Sequence, residues 1–343
     1  MPDRAQGRWH GPRAWVLCAA VVVLGTVAIA GCGLGAGTAP KSVSLLVTHD
    51  FGSQVVHTWS APEVKGEETV MGLLMRNAHV ATKYGGGFVQ SIDGSSGGSV
   101  AGEPEDWFYY VNGVQAPKGA AETKLDPGDH VWWDLHDWSQ TDSIPAVVGS
   151  YPEPFLNGVG GKRWPVRVEC SDSASEPCAT VDERLRALGV LAAQAAIGPG
   201  EEPEALHVLV GPWSAVAADP AAHEIESGPR ASGVYARPSA NGRTLAVLDE
   251  RGSVVRTLGA GAGLVAATRR GEEAPVWVVT GTSESGVELA AKSFDQSALA
   301  HRFALALAPH GEHLPLPAPV PGSAAAASGA SATATAASAA SGE

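Results

Sequence analysis

The chain has 343 residues, with 36 Asp and Glu against 23 Lys and Arg, and a formal charge of −13. This acidic balance argues against a nucleic-acid partner and against electrostatic docking on an anionic membrane, and it fits a solvated exterior protein. Setting aside a leader and a tail leaves roughly 270 residues, enough for two domains of ordinary size.

At the N-terminus, Arg4, Arg8 and Arg13 precede an uncharged apolar run from Ala14 to Ala30. The run is shorter than the ~20 residues a spanning helix needs and suits a signal-peptide core. It ends in Ile29-Ala30-Gly31-Cys32, which resembles the bacterial lipoprotein lipobox. That resemblance implies a signal peptide over 1–31, lipidation of Cys32, and a flexible tether over 32–40. The protein is then expected to be extracytoplasmic and anchored to the cell membrane by its acyl chains, palmitate among them. Two or more chains anchor stably where one is marginal. Losing the leader removes three Arg and one Asp, taking the charge from −13 to −15. Cys18 goes with it, so Cys170 and Cys178 are the remaining pair. In an oxidising compartment they are expected to close a small disulfide ring.

Residues 41–160 read as a first domain. Val43, Leu45 and Val47 alternate as in a half-buried strand. His49-Asp-Phe-Gly52 makes a turn, and Val70, Leu73, Leu74 and Ala78 recur at helical spacing. Between Tyr84 and Asp137 come three aromatic strand signals, YGGGFVQSIDG, DWFYYVNG and LDPGDHVWWDLHD, separated by Gly-, Asn- and Pro-rich turns. One helix on a mostly antiparallel sheet is an α+β, β-grasp-like roll. Residues 161–310 then alternate strands and helices, implying an α/β layer domain. Its signals are strands at 165–170, 205–210 and 275–280, helices at 181–188 and 286–299, and a hairpin turning at Asp249-Glu-Arg-Gly252. Gly259-Ala-Gly-Ala-Gly263 reads as the lead into a short helix. Residues 311–343 are Pro-rich and then Ala/Ser/Gly-rich, without the large apolar side chains a core needs, and are expected to be disordered.

Along 107–112 and 131–136 alternate side chains point to opposite faces. One face is core; the other is expected to leave large rings beside polar groups in water, as suits a planar ligand or a partner. The candidate ligand-binding residues are Tyr84, Trp107, Tyr109, Trp132, Asp134 and His136. The glycines Gly85, Gly86 and Gly87 let the backbone approach a ligand closely but also allow a bulge or strand crossing, and the structural reading is favoured. Asp129, His130, Asp134, His136 and Asp137 read as solvated rim charges, since no third ligand converges with Asp134 and His136 on one face; no metal site is assigned. Gly281-Thr-Ser-Glu-Ser-Gly286 is not a nucleophile elbow, and the 259–263 glycines miss both dinucleotide and phosphate-loop spacing. No catalytic residue and no cofactor is assigned, and the chain is expected not to be an enzyme.

The first domain resembles the bacterial transcobalamin-like C-terminal domain family, a domain often described only as being of unknown function. The strand ending in Val47-Thr48, Thr69-Val-Met-Gly-Leu-Leu74, GGGFVQSIDG, Trp107-Phe-Tyr-Tyr-Val-Asn-Gly113, Leu125-Asp-Pro-Gly-Asp129 and Trp132-Trp133 carry the likeness, over about a third of the chain. In the animal carriers of this family the domain closes over one face of cobalamin while a separate helical domain, absent here, holds the other. The second domain is similar to non-catalytic α/β modules of surface proteins, through Val279-Thr-Gly-Thr282 and the Ala-rich stretch after Gly286. Together these imply a lipid-anchored binding protein taking a small, corrinoid-like ligand for uptake or docking on a transporter. The alternative is an envelope scaffolding protein.

Overall fold

The computed structural model describes residues 42–63, 67–100, 102–198 and 202–319. The signal peptide, the tether, Cys32 and the tail beyond Pro319 lie outside the described residues.

The chain opens with β1 (Ser42–His49) and β2 (Gln54–Glu63), then α1 (Val70–Asn77). Short strands β3 (Val80–Lys83), β4 (Phe88–Ile92), β5 (Ser95–Ser96) and β6 (Gly98–Val100) precede β7 (Glu103–Val111), β8 (Val114–Gln115) and β9 (His130–Asp137). The main sheet has the order β2-β1-β9-β7-β6, with β8 on β7. β1 runs parallel to β9 and every other pair is antiparallel, the β-grasp arrangement expected from sequence. Thr69 caps α1 by accepting from the Gly72 amide at 3.1 Å. The helix buries Val70, Leu73 and Leu74 against Val43, Leu45, Val47, Trp107, Val131, Trp133 and Leu135.

The second half begins with β10 (Val166–Cys170), α2 (Glu176–Ala187), β11 (Ala192–Ala196) and β12 (Leu206–Pro212). Three short helices follow: α3 (Trp213–Val216), α4 (Pro220–His223) and α5 (Pro229–Ser232). Then come β13 (Ala236–Pro238), β14 (Leu245–Leu248), β15 (Val254–Leu258), β16 (Gly263–Thr268) and β17 (Val276–Gly281). α6 (Glu284–Lys292), α7 (Gln296–Leu299), β18 (Ala304–Leu307) and β19 (His313–Leu316) close the chain. The large sheet has the order β11-β10-β12-β17-β16-β18-β19, parallel up to β17 and antiparallel beyond. α2 and α6 cover one face. Cys170 at the end of β10 is bonded to Cys178 in α2, the disulfide expected from sequence.

Two expectations are corrected here. The 259–263 glycines lead into β16, a central strand, because Leu264 to Ala267 are apolar without a polar helical face. The segment from 311 is ordered to Pro319: β19 pairs with β18, and Leu316 and Ala318 are buried. Prolines 315, 317 and 319 mark an edge strand, where a missing donor costs nothing.

The described residues belong to one compact unit. The β-grasp face opposite α1 is the reason. Leu46, Tyr110 and Trp132 share a core with Tyr235, Leu248, Phe303 and Leu316 from the second half. Two glycines set the approach. A Cβ on Gly52 (φ 81°) would lie 2.0 Å from the His301 carbonyl oxygen, and one on Gly149 would lie 2.6 Å from the Arg302 nitrogen and 2.8 Å from the Trp132 ring.

Candidate functional site

The six residues proposed from sequence do not form one face. In the β7–β9 ladder Trp107 opposes Leu135, and Tyr109 opposes Trp133. Cross-strand partners share a face, so Trp107 and Tyr109 lie on the α1 side. Trp132, Asp134 and His136 lie on the other.

That second face is not exposed, contrary to expectation. Trp132 and Asp134 are 0% exposed and His136 is 2% exposed. The cause is the second half of the chain, whose Phe303 packs edge-on to Trp132, Tyr110 and His136 at 5.1–5.5 Å. His136 is stacked between Phe51 at 4.5 Å and Phe108 at 4.6 Å. Its Nδ1 donates to Asp134 at 2.7 Å. Asp134 also accepts from the Phe51 amide (3.0 Å), the Gly52 amide (2.9 Å) and the Thr48 hydroxyl. Thr48 in turn accepts from Trp132 Nε1 at 2.7 Å. Every carboxylate oxygen is used, as a buried charge requires. This network holds the 50–52 turn; it has no face open to a ligand.

On the α1 side, Trp107 is 6% exposed, also against expectation, and donates from Nε1 to the Ser95 carbonyl at 3.1 Å. Tyr109 is half-buried, stacks on Trp133 at 4.8 Å, and donates from its hydroxyl to the Lys118 carbonyl, with Thr123 Oγ1 2.8 Å away. Burial pushes its phenol up. Tyr84 is 86% exposed, sits at φ 52°, and makes an edge contact with Phe88.

A site emerges here from the backbone. On the outer edge of β7, β6 pairs only as far as Glu105 and β8 begins only at Tyr110. Hydrogen-bonded and non-bonded positions alternate in an antiparallel ladder. With Val111 and Val114 closing a two-residue turn at Asn112-Gly113, Trp107 and Tyr109 direct their backbone groups to the open edge. The Tyr109 carbonyl takes only a long contact from the Ala116 amide, 3.5 Å. The gap holds a slot of about 180 Å³. Its walls include Phe88 from β4, Trp107, Phe108 and Tyr109 from β7, Gly119 from the following turn, and Trp133. Rings from both faces of β7 reach it, as only a position at the strand's edge allows. Two of the six sequence candidates, Trp107 and Tyr109, line it. Phe88, Phe108, Gly119 and Trp133 were missed, because only pairing register reveals where an edge is left open.

Carboxylates crowd the end of the same sheet. Asp50 follows β1, Asp137 ends β9, Glu105 lies opposite Asp137, and Glu250 comes from the β14–β15 turn. Burial raises the carboxyls of Asp50, Glu105 and Glu250. Like charge adds to it: Asp134 acts on Asp50, and Asp50 and Asp137 act on both Glu105 and Glu250. Among the described residues no group of three or more His, Cys, Asp or Glu is placed to hold a metal ion. Nor is any described helix long and apolar enough to cross a membrane.

A protein-family model described as a domain of unknown function (DUF4430) matches residues 67–137, which hold α1, β7, β9 and the slot. No curated protein matches. Among solved structures, a chain described as a "putative metal binding protein" from Ruminococcus gnavus ATCC 29149 is similar at 17% identity and a TM-score of 0.24, over 28% of this chain and 97% of that chain.

Proposed function

We propose that the protein is a non-catalytic binding protein, held outside the cell membrane by lipid on Cys32, that takes its ligand at the slot on the β7 edge. The observation that carries this reading is the unpaired stretch of β7 walled by Phe88, Trp107, Tyr109 and Trp133. Rings give apolar area and the open backbone gives in-plane donors and acceptors, which together select a planar group with a polar edge. Enclosing a whole drug-sized ligand takes a pocket of about 300–1,000 Å³. The slot is smaller, so it suits one ring or a short amide stretch rather than a whole corrin macrocycle. A transporter or envelope protein presenting such a group is the partner this reading implies.

Two experiments test it. In NMR titrations with indole, trialanine and cyanocobalamin, the Trp107 and Trp133 indole signals should shift saturably with the first two, and Phe88→Ala should weaken that response. Indifference of both signals to every probe overturns the slot assignment. Separately, Cys32→Ala should release the protein from the membrane fraction; retention of the variant overturns the anchor.

A further inference from the structure

A second cleft lies at the other end of the β-grasp sheet, where it meets the 149–153 turn and α7. It measures about 220 Å³. Ser44 on β1 and His130 on β9 are direct partners in the parallel ladder, and Ser44 Oγ lies 2.7 Å from His130 Nδ1. The His130 backbone amide donates to Asn112 Oδ1 at 2.7 Å, and Asn112 Nδ2 donates to Asp129, so the backbone that carries the imidazole is fixed. Glu153, His301 and Gln296 complete the polar wall. Ser150, also on the wall, buries a hydroxyl with no partner among the described residues, and such a group calls for an explanation.

The electrostatics narrow the ligand. Burial drives His130 down to about 4, reinforced by His301, which burial also lowers. Burial pushes Glu153 up to about 7, against the bonds it accepts from Asn157. His130 is therefore uncharged at neutral pH, and burial disfavours the charged form of His301 as well. None of the lining residues is Lys or Arg. An anionic ligand would find no counter-charge, and a cationic one would find only Glu153, whose charged form burial disfavours. What the walls do offer is amphoteric: hydroxyls, neutral imidazoles and an amide each both donate and accept. Ligand hydroxyls have that same character, and the volume suits one sugar ring.

We infer that the cleft between Ser44, His130, Glu153, Gln296 and His301 is a binding site for a neutral, polyhydroxylated ligand of monosaccharide size. It is separate from the slot and stands or falls independently of it. The test uses the full chain in detergent with labelled histidine, following the His130 and His301 imidazole signals. The probes are glucose, N-acetylglucosamine, glucuronate and glucosamine. Glucose or N-acetylglucosamine should shift both signals saturably, with the two charged sugars binding about tenfold more weakly, the factor one hydrogen bond is worth. Ser44→Ala should weaken neutral-sugar binding by a similar factor. Gln296→Ala, at the exposed rim, should do so without disturbing a strand. Silence of both imidazoles towards every neutral sugar overturns the inference, as does preferential binding of a charged sugar. Unchanged affinity in Gln296→Ala together with Ser44→Ala also overturns it.

Discussion

Asp134→Asn is the sharpest probe of the contact between the two halves. The carboxylate is fully buried and meets the Phe51 amide and His136 Nδ1 at Oδ1, and the Gly52 amide and Thr48 hydroxyl at Oδ2. Asparagine keeps the shape but replaces one acceptor by a donor. With its oxygen kept towards Phe51 and His136, the new NH₂ faces Gly52 and Thr48. Thr48 can turn its hydroxyl and accept; the Gly52 amide cannot, and is left buried without a partner. One orphaned donor and the lost charge on the other bonds together cost about 2–4 kcal/mol. In a chain of this size that lowers Tm by roughly 4–7 °C. Urea unfolding followed by tryptophan fluorescence and by far-UV circular dichroism measures it, and coincident transitions are expected because Phe303 and Tyr235 lock the two sheets into one core. A loss below about 1 kcal/mol would refute the network as the anchor of the 50–52 turn. Separated transitions in the wild-type chain would refute the single core.

Gly149→Ala should destabilise by about 1–3 kcal/mol, since its Cβ would press on Arg302 and on the Trp132 ring; a neutral result in the same assay means the seam is looser than described. Removing the disulfide with Cys170→Ala and Cys178→Ala together opens a ring of sequence separation 8, which costs about 2–3 kcal/mol by chain entropy, measured as a fall in urea midpoint. In the acidic row the folded-state carboxyls of Asp50, Glu105 and Glu250 are raised. Their favourable contribution is complete below the unfolded-state values and is lost as pH rises through the raised folded ones. Glu250→Gln should therefore raise Tm at pH 7 and leave it unchanged under acid conditions. The group is partly exposed, so the gain is screened to about 0.3–0.5 kcal/mol. A loss of stability at pH 7 would mean that attraction to Arg251 outweighs burial and the like charges around Glu250.

The backbone plan was legible where one residue decides one local event. Asn112-Gly113 closes the β7–β8 turn with φ 54° and 78°, and the alternation of Val43, Leu45 and Val47 puts them under α1. Reading the opposite face failed for an identifiable reason. A strand with rings on both faces reads from sequence as half-exposed in a two-layer roll, and β9 is buried on both. What covers it, Tyr235 and Phe303, lies about a hundred residues or more away and carries no local signal of that role. The short strand β19 was lost behind its prolines in the same way.

This reverses the meaning of the polar residues on β9. Asp134 and His136 pointed to a ligand because carboxylate and imidazole beside rings make a plausible binding face in water. Inside a seam, the same pair serves the backbone instead. β1 ends at His49, and the chain must turn through Asp50 and Phe51, both at positive φ, before β2. Left-handed backbone at two consecutive non-glycine residues is costly, and a fixed anion receiving the Phe51 and Gly52 amides offsets that cost. The turn then delivers Phe51 onto His136 and Tyr235. The two ligand sites proposed for this sheet lie elsewhere: at the β7 edge, where pairing is incomplete, and in the Ser44–His130 cleft.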